Sequence, residues 1–159
     1  MVVMERMTSR HPDVYRAVHW WPAPGVGNLP ATPADVSSAY EEGIRCLYVK
    51  AYRAAVVMFL AMLGQITEGT GSGKTKATST LYAKLEQMGK DHALRPELVS
   101  WAQAIPQIGN GTAKGDPLGD VKEEDAVSLS QLCKIILEEL YETPGRIIRS
   151  KPRLMPPGR

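Results

Sequence analysis

The stretch Gly69-Thr70-Gly71-Ser72-Gly73-Lys74-Thr75 is the most suggestive piece of chemistry in this sequence, because its ending resembles a phosphate-binding loop. Such a loop needs a further glycine five positions before Gly73, where Glu68 stands, and a strand in front of it so that backbone amides can wrap the phosphates. What precedes it is the apolar run Ala54 to Leu63, which reads as helix. The segment from Glu68 to Thr80 is therefore expected to be an exposed loop between helices, with Lys74 in solvent. The histidines His11, His19 and His92 have no Cys, Asp or Glu at metal-ligand spacing, so no metal site is implied. Cys46 and Cys133 lie in apolar helical patterns and read as inert, reduced core thiols. The acidic groups Glu41-Glu42, Glu123-Glu124-Asp125 and Glu138-Glu139 suit helix ends and solvated faces better than acid–base catalysis. No catalytic residue and no cofactor is assigned.

Charge is unevenly spread. The net charge is +2, but residues 146–159 hold Arg146, Arg149, Lys151, Arg153 and Arg159 with no acid, which leaves the rest of the chain at about −3. Such a tail can touch a phosphate backbone, in which case binding would weaken steeply with salt. Pro152, Pro156, Pro157 and Gly158 favour the other reading, a solvated flexible extension. At the opposite end, Trp20-Trp21 could stack on bases, yet no cations interleave with the pair, and packing against the domain or a partner chain is the preferred reading.

The elements that would carry these residues are helical. At 159 residues, with 43% hydrophobic and 23% charged side chains, the chain is expected to form one folded domain, and a single Phe leaves the core to aliphatic residues and Met. Residues 1–30 show no periodicity and read as an irregular arm. Thr32 is expected to cap a first helix with Pro33 at its first position, followed by Val36, Tyr40, Ile44, Leu47 and Tyr48 on one face. The second helix is apolar on every side and is expected to be buried all round, in a bundle centre or at a subunit contact. A third carries Leu81, Leu85 and Met88 and stops at Gly89; a fourth runs from Pro96 until Pro106 breaks it. After a Gly-rich stretch, Asp120 and Glu123 form a capping-box-like start for the last long helix, which Thr143-Pro144-Gly145 is expected to stop. The expectation is an all-α, antiparallel bundle of about five helices over residues 31–145, with a basic flexible tail over 146–159. The apolar run is too short to span a bilayer, and two unpaired thiols without a secretory signal point to the cytoplasm.

Three groups of residues together resemble one family: Leu29-Pro30, Ser38 to Gly43 and Tyr52 to Val57; then Leu81 to Leu85; then Ile105 to Lys114, Glu123 to Ala126 and Leu140 to Pro144. They are similar to the domain-of-unknown-function family 4145, a relative of the HEPN helical superfamily, with Gly109, Asn110 and Lys114 on its motif. The resemblance implies a helical bundle that pairs with itself, found in prokaryotic defence and restriction-linked proteins. Some HEPN relatives cleave RNA with an arginine and a histidine that meet across a dimer. Pro106 replaces that arginine here and Lys114 the histidine; a lysine of ordinary pKa near 10.4 cannot exchange protons near neutral pH as imidazole does.

These readings converge on a non-enzymatic interaction domain that forms a homodimer, an accessory of prokaryotic or phage defence, with Val56, Phe59, Leu60, Leu63, Ile136 and Leu140 at its contact and a protein as its other partner. One alternative is an RNA binder or degenerate HEPN-type ribonuclease using Lys114, Arg146, Arg149, Lys151 and Arg153. Another is an anti-defence factor that mimics a defence subunit. No membrane role is expected.

Overall fold

The chain, in a computed structural model, is described over residues 2–6, 15–20, 28–105 and 121–150. Its first elements correct the expectation of an irregular arm without strands. Backbone segments β1 (Val2–Arg6) and β2 (Tyr15–Trp20) pair antiparallel, Val2 opposite Trp20 and Arg6 opposite Tyr15, with a bulge between Val3 and Met4. Alternation in Tyr15-Arg16-Ala17-Val18-His19-Trp20 is short and broken at Val18, so the period-2 signal stays weak until the partner strand supplies the ladder.

From residue 28 onward every regular element described is helical. Helix α1 (Ala34–Tyr48) packs along α2 (Tyr52–Thr70), the central helix, which also touches α3 (Gly73–Lys76), α4 (Leu81–Lys90) and α6 (Glu123–Leu137). Helix α5 (Pro96–Ala104) closes against α4 and α6. Phe59, Met62, Leu63 and Ile66 of α2 are fully buried with Leu85 and Met88 of α4 and Leu129, Leu132, Ile136 and Leu137 of α6. Tyr40 of α1 leans on Phe59 with ring centroids 5.9 Å apart. Gly43 makes that approach possible, since a Cβ there would stand 2.5 Å from the Phe59 ring.

Several helix ends differ from the sequence expectation, each for an identifiable reason. Thr32 does not cap α1: Pro33 is the residue before the helix, and the Thr32 hydroxyl donates to Glu142 at 2.9 Å. Helix α4 runs one residue past Gly89, and His92, at φ 57°, takes the left-handed position that follows it. Gly89 serves packing instead, because a Cβ there would lie 2.8 Å from Val99 of α5. The start of α6 falls at Glu123, where Asp125 accepts the Lys122 N–H at 3.3 Å; Asp120 lies outside the described residues. Helix α5 does end before Pro106, with Ile105 extended (φ −91°, ψ 113°) as a following proline requires.

The largest departure is at Thr143-Pro144-Gly145, which does not stop the last helix. Residues Glu138–Glu142 widen into a π turn, and α7 (Thr143–Ser150) continues beyond it. The Thr143 N–H bonds Glu138 O, one residue further back than in an α-helix. That wider turn relieves the clash a proline ring makes with the carbonyl four residues before it. Arg146 and Arg149 therefore stand on a helix and not in a flexible tail; Lys151 and Arg153 lie outside the described residues.

Candidate functional site

The glycine-rich stretch that suggested phosphate binding is occupied by structure. Helix α2 extends through Thr70, and Ser72 caps α3 by accepting the Thr75 N–H at 3.2 Å. The Ser72 hydroxyl also donates to Asp91 at 2.6 Å, and Gln87 donates to the other oxygen of the same carboxylate at 2.9 Å. These bonds, Ser72 first and Gln87 second, hold the Asp91 carboxyl below its ordinary pKa. Thr75 is fully buried. A helix in front and a side chain turned into the core leave no wrapped cradle of amides of the kind a nucleotide loop presents.

The thiols stand apart. Cys133 is fully buried and burial alone pushes its pKa up, which disfavours the nucleophilic thiolate. Cys46 is half-buried, its pKa also raised, by burial first and by Glu42 second. Among the described residues no cluster of three or more His, Cys, Asp or Glu could hold a metal, and no helix is long and apolar enough to cross a membrane.

The acidic residues around the π turn act as clasps. Glu142, only 9% exposed, accepts the Ala31 N–H at 3.0 Å and the Thr32 hydroxyl at 2.9 Å, pinning the segment that leads into α1 onto the far end of the domain. Glu139 holds Arg95 twice, by its backbone N–H at 3.1 Å and its guanidinium at 2.5 Å. Tyr141 is hydrogen-bonded to Thr70 at the end of α2, and its pKa is raised chiefly by burial. The Glu139 and Glu142 carboxylates are thus committed to structural donors, so the π turn positions helices. Spacing alone did not reveal it, since the partners lie far away in the chain; the local signal was a proline inside a helical pattern.

The residues expected at a contact between copies are core residues. Val56, Phe59 and Leu63 are 0% exposed and Ile136 is 1% exposed, while Leu60 and Leu140 are half-buried against the same core. Within one chain α1, α4 and α6 already cover that side of α2. The other side of α2 also corrects the expectation of burial all round: Ala54, Val57 and Ala61 are exposed, Val57 by 46%, with Met58 and Gly64 half-buried beside them. No charged residue occurs from Ala54 to Thr67, although Arg53 and Glu68 bracket that span. A solvated helix face ordinarily carries charge, so this is an apolar surface facing outward. A second exposed apolar pair, Ile147 and Ile148, sits on α7 between Arg146 and Arg149.

Gly109, Asn110 and Lys114, together with Pro106, lie outside the described residues, as does Trp21. No curated protein and no solved structure matches this chain. A family model does match, over residues 41–152, which takes in α1 from Glu41 through α7: the chain belongs to the domain of unknown function family DUF4145.

Proposed function

We propose that this chain is a self-associating helical interaction domain, built as a HEPN-like bundle, that works by pairing with a second copy through the outward face of α2. The observation that carries the reading is the uncharged, exposed span of Ala54, Val57 and Ala61 on a helix whose opposite side is already filled by the core. An isologous contact uses one patch twice, and a straight helix face with apolar residues along its length suits that use. The order of side chains also favours association over chemistry: both thiols have raised pKa values, and Glu139 and Glu142 of the π turn are held by structural donors. Sedimentation equilibrium over low to high micromolar concentrations tests the reading. A reversible monomer–dimer equilibrium is expected, and a strict monomer across that range overturns it.

A further inference from the structure

Resting on that self-association, we propose that the two α2 helices run antiparallel with Ala61 on the two-fold axis, so that Val57 of each chain enters the space over Gly64 of the partner subunit and Arg53 stands opposite Glu68 of the partner subunit.

The register follows from the spacing on α2. Ala54, Ala61 and Glu68 recur every seven residues and form one row along the outward face, with Val57 and Gly64 on one flank and Met58 and Gln65 on the other. A two-fold axis through Ala61, perpendicular to the helix, keeps each flank on its own side while reversing its direction. Val57, four residues before Ala61, then meets the partner's Gly64, three residues after it, and Met58 meets the partner's Gln65. The knob and the hole are both present in the single chain. Val57 is 46% exposed, and a Cβ at Gly64 would find nothing within 4 Å. Alanine at the axis allows the close interaxial spacing, about 8 Å, seen when small residues occupy a helix contact.

Charge selects the orientation. The first turn of α2 contains Arg53 and no acid, while its last turn holds Glu68 and no base. A parallel pair would bring Arg53 to Arg53 and Glu68 to Glu68 and align the helix dipoles, whereas the antiparallel pair joins opposite charges at both ends and opposes the dipoles. Glu68 also holds Lys84 of its own chain, which leaves a carboxylate fixed in position at the end of the seam.

The full-length chain with Cys46→Ser, carrying Ala61→Cys, tests the axis by oxidation and non-reducing electrophoresis, with Ser38→Cys on the exposed part of α1 as the control. Rapid homotypic disulfide formation at position 61 but not at position 38 is expected. Gly64→Leu fills the hole where the single chain leaves open space, so it should keep the helicity and the melting temperature of the dilute, monomeric chain yet raise the dimer dissociation constant by about tenfold or more. Arg53→Glu and Glu68→Arg should each weaken self-association, and an equimolar mixture of the two should restore it. A dimer that is indifferent to Gly64→Leu and does not trap at position 61 overturns this seam while leaving self-association standing. A wild-type chain that stays monomeric at high micromolar concentration overturns both.

Discussion

Two of the described residues sit where a side chain is an encumbrance. Lys50 and His92 hold φ of 60° and 57°, each just after a helix whose end is closed in the same way: Ala51 N–H bonds Cys46 O and Lys50 N–H bonds Leu47 O, and Ala93 and His92 repeat the pattern on Met88 and Gly89. This is a Schellman closure, in which glycine is the usual occupant of the left-handed position because it has no Cβ to meet the neighbouring carbonyl. Lys50→Gly and His92→Gly should each raise stability by about 1 kcal/mol in urea unfolding, the scale of the left-handed penalty for other residues. A loss at either site would mean that the side chain makes a compensating contact. Asp91 gives a pH dependence of known sign. Its carboxyl is held below its unfolded pKa by Ser72 and Gln87, so the stabilisation is present above the unfolded value, about 3.9, and fades as pH falls through the lowered folded one. Ser72→Ala should therefore lower the urea midpoint more at pH 7 than at pH 2.

The elements show why part of this fold can be read from the sequence and part cannot. Helices α1, α2, α4, α5 and α6 were legible because their apolar spacing is local and long, and Pro96 and Pro106 bracket α5 by proline's own geometry. What escaped depends on groups far apart in the chain. Thr32 followed by Pro33 has the local form of a cap, yet its hydroxyl is drawn to Glu142, and nothing near Thr32 announces that partner. Thr143-Pro144-Gly145 has the local form of a stop, yet a π turn carries the helix across it. The outward face of α2 was hidden for a different reason: an all-apolar helix has no polar side to mark which part the core leaves uncovered. Removing the Glu142 carboxylate strands the Ala31 N–H and the Thr32 hydroxyl, and an unsatisfied, partly buried donor costs on the order of 2 kcal/mol. Glu142→Ala should lower stability by about that much, while Thr32→Val, which removes only one donor, should cost less. Equal losses in denaturant titrations would show that the carboxylate does not act through both donors.

At the scale of the molecule, the proposal that copies pair through α2 makes stability depend on concentration. A partner that binds only the folded state raises the melting temperature as the chain is concentrated, by an amount set by the ratio of concentration to dissociation constant. Calorimetric scans at 5-fold and 50-fold dilution, about the range that separates a dimer from its monomer, should show the melting temperature falling with dilution for the wild type and changing little for Gly64→Leu. A melting temperature independent of concentration in the wild type would contradict pairing in that range. Gly109 and Asn110 lie between α5 and α6, outside the described residues, within the span that the family model matches.

The clasp at Glu142 has one more consequence. It joins residue 31, just before α1, to residue 142 at the end of the π turn, so the entry to the helical body and the start of its last helix are neighbours in space. From α1 to the π turn the body is in effect a loop of helices closed by a polar latch. A chain cut in the exposed stretch between α3 and α4 and rejoined beside the latch would meet the same core in a different order. In the native chain, by contrast, the latch closes a loop of 111 residues, an entropic cost that the rejoined chain would not bear.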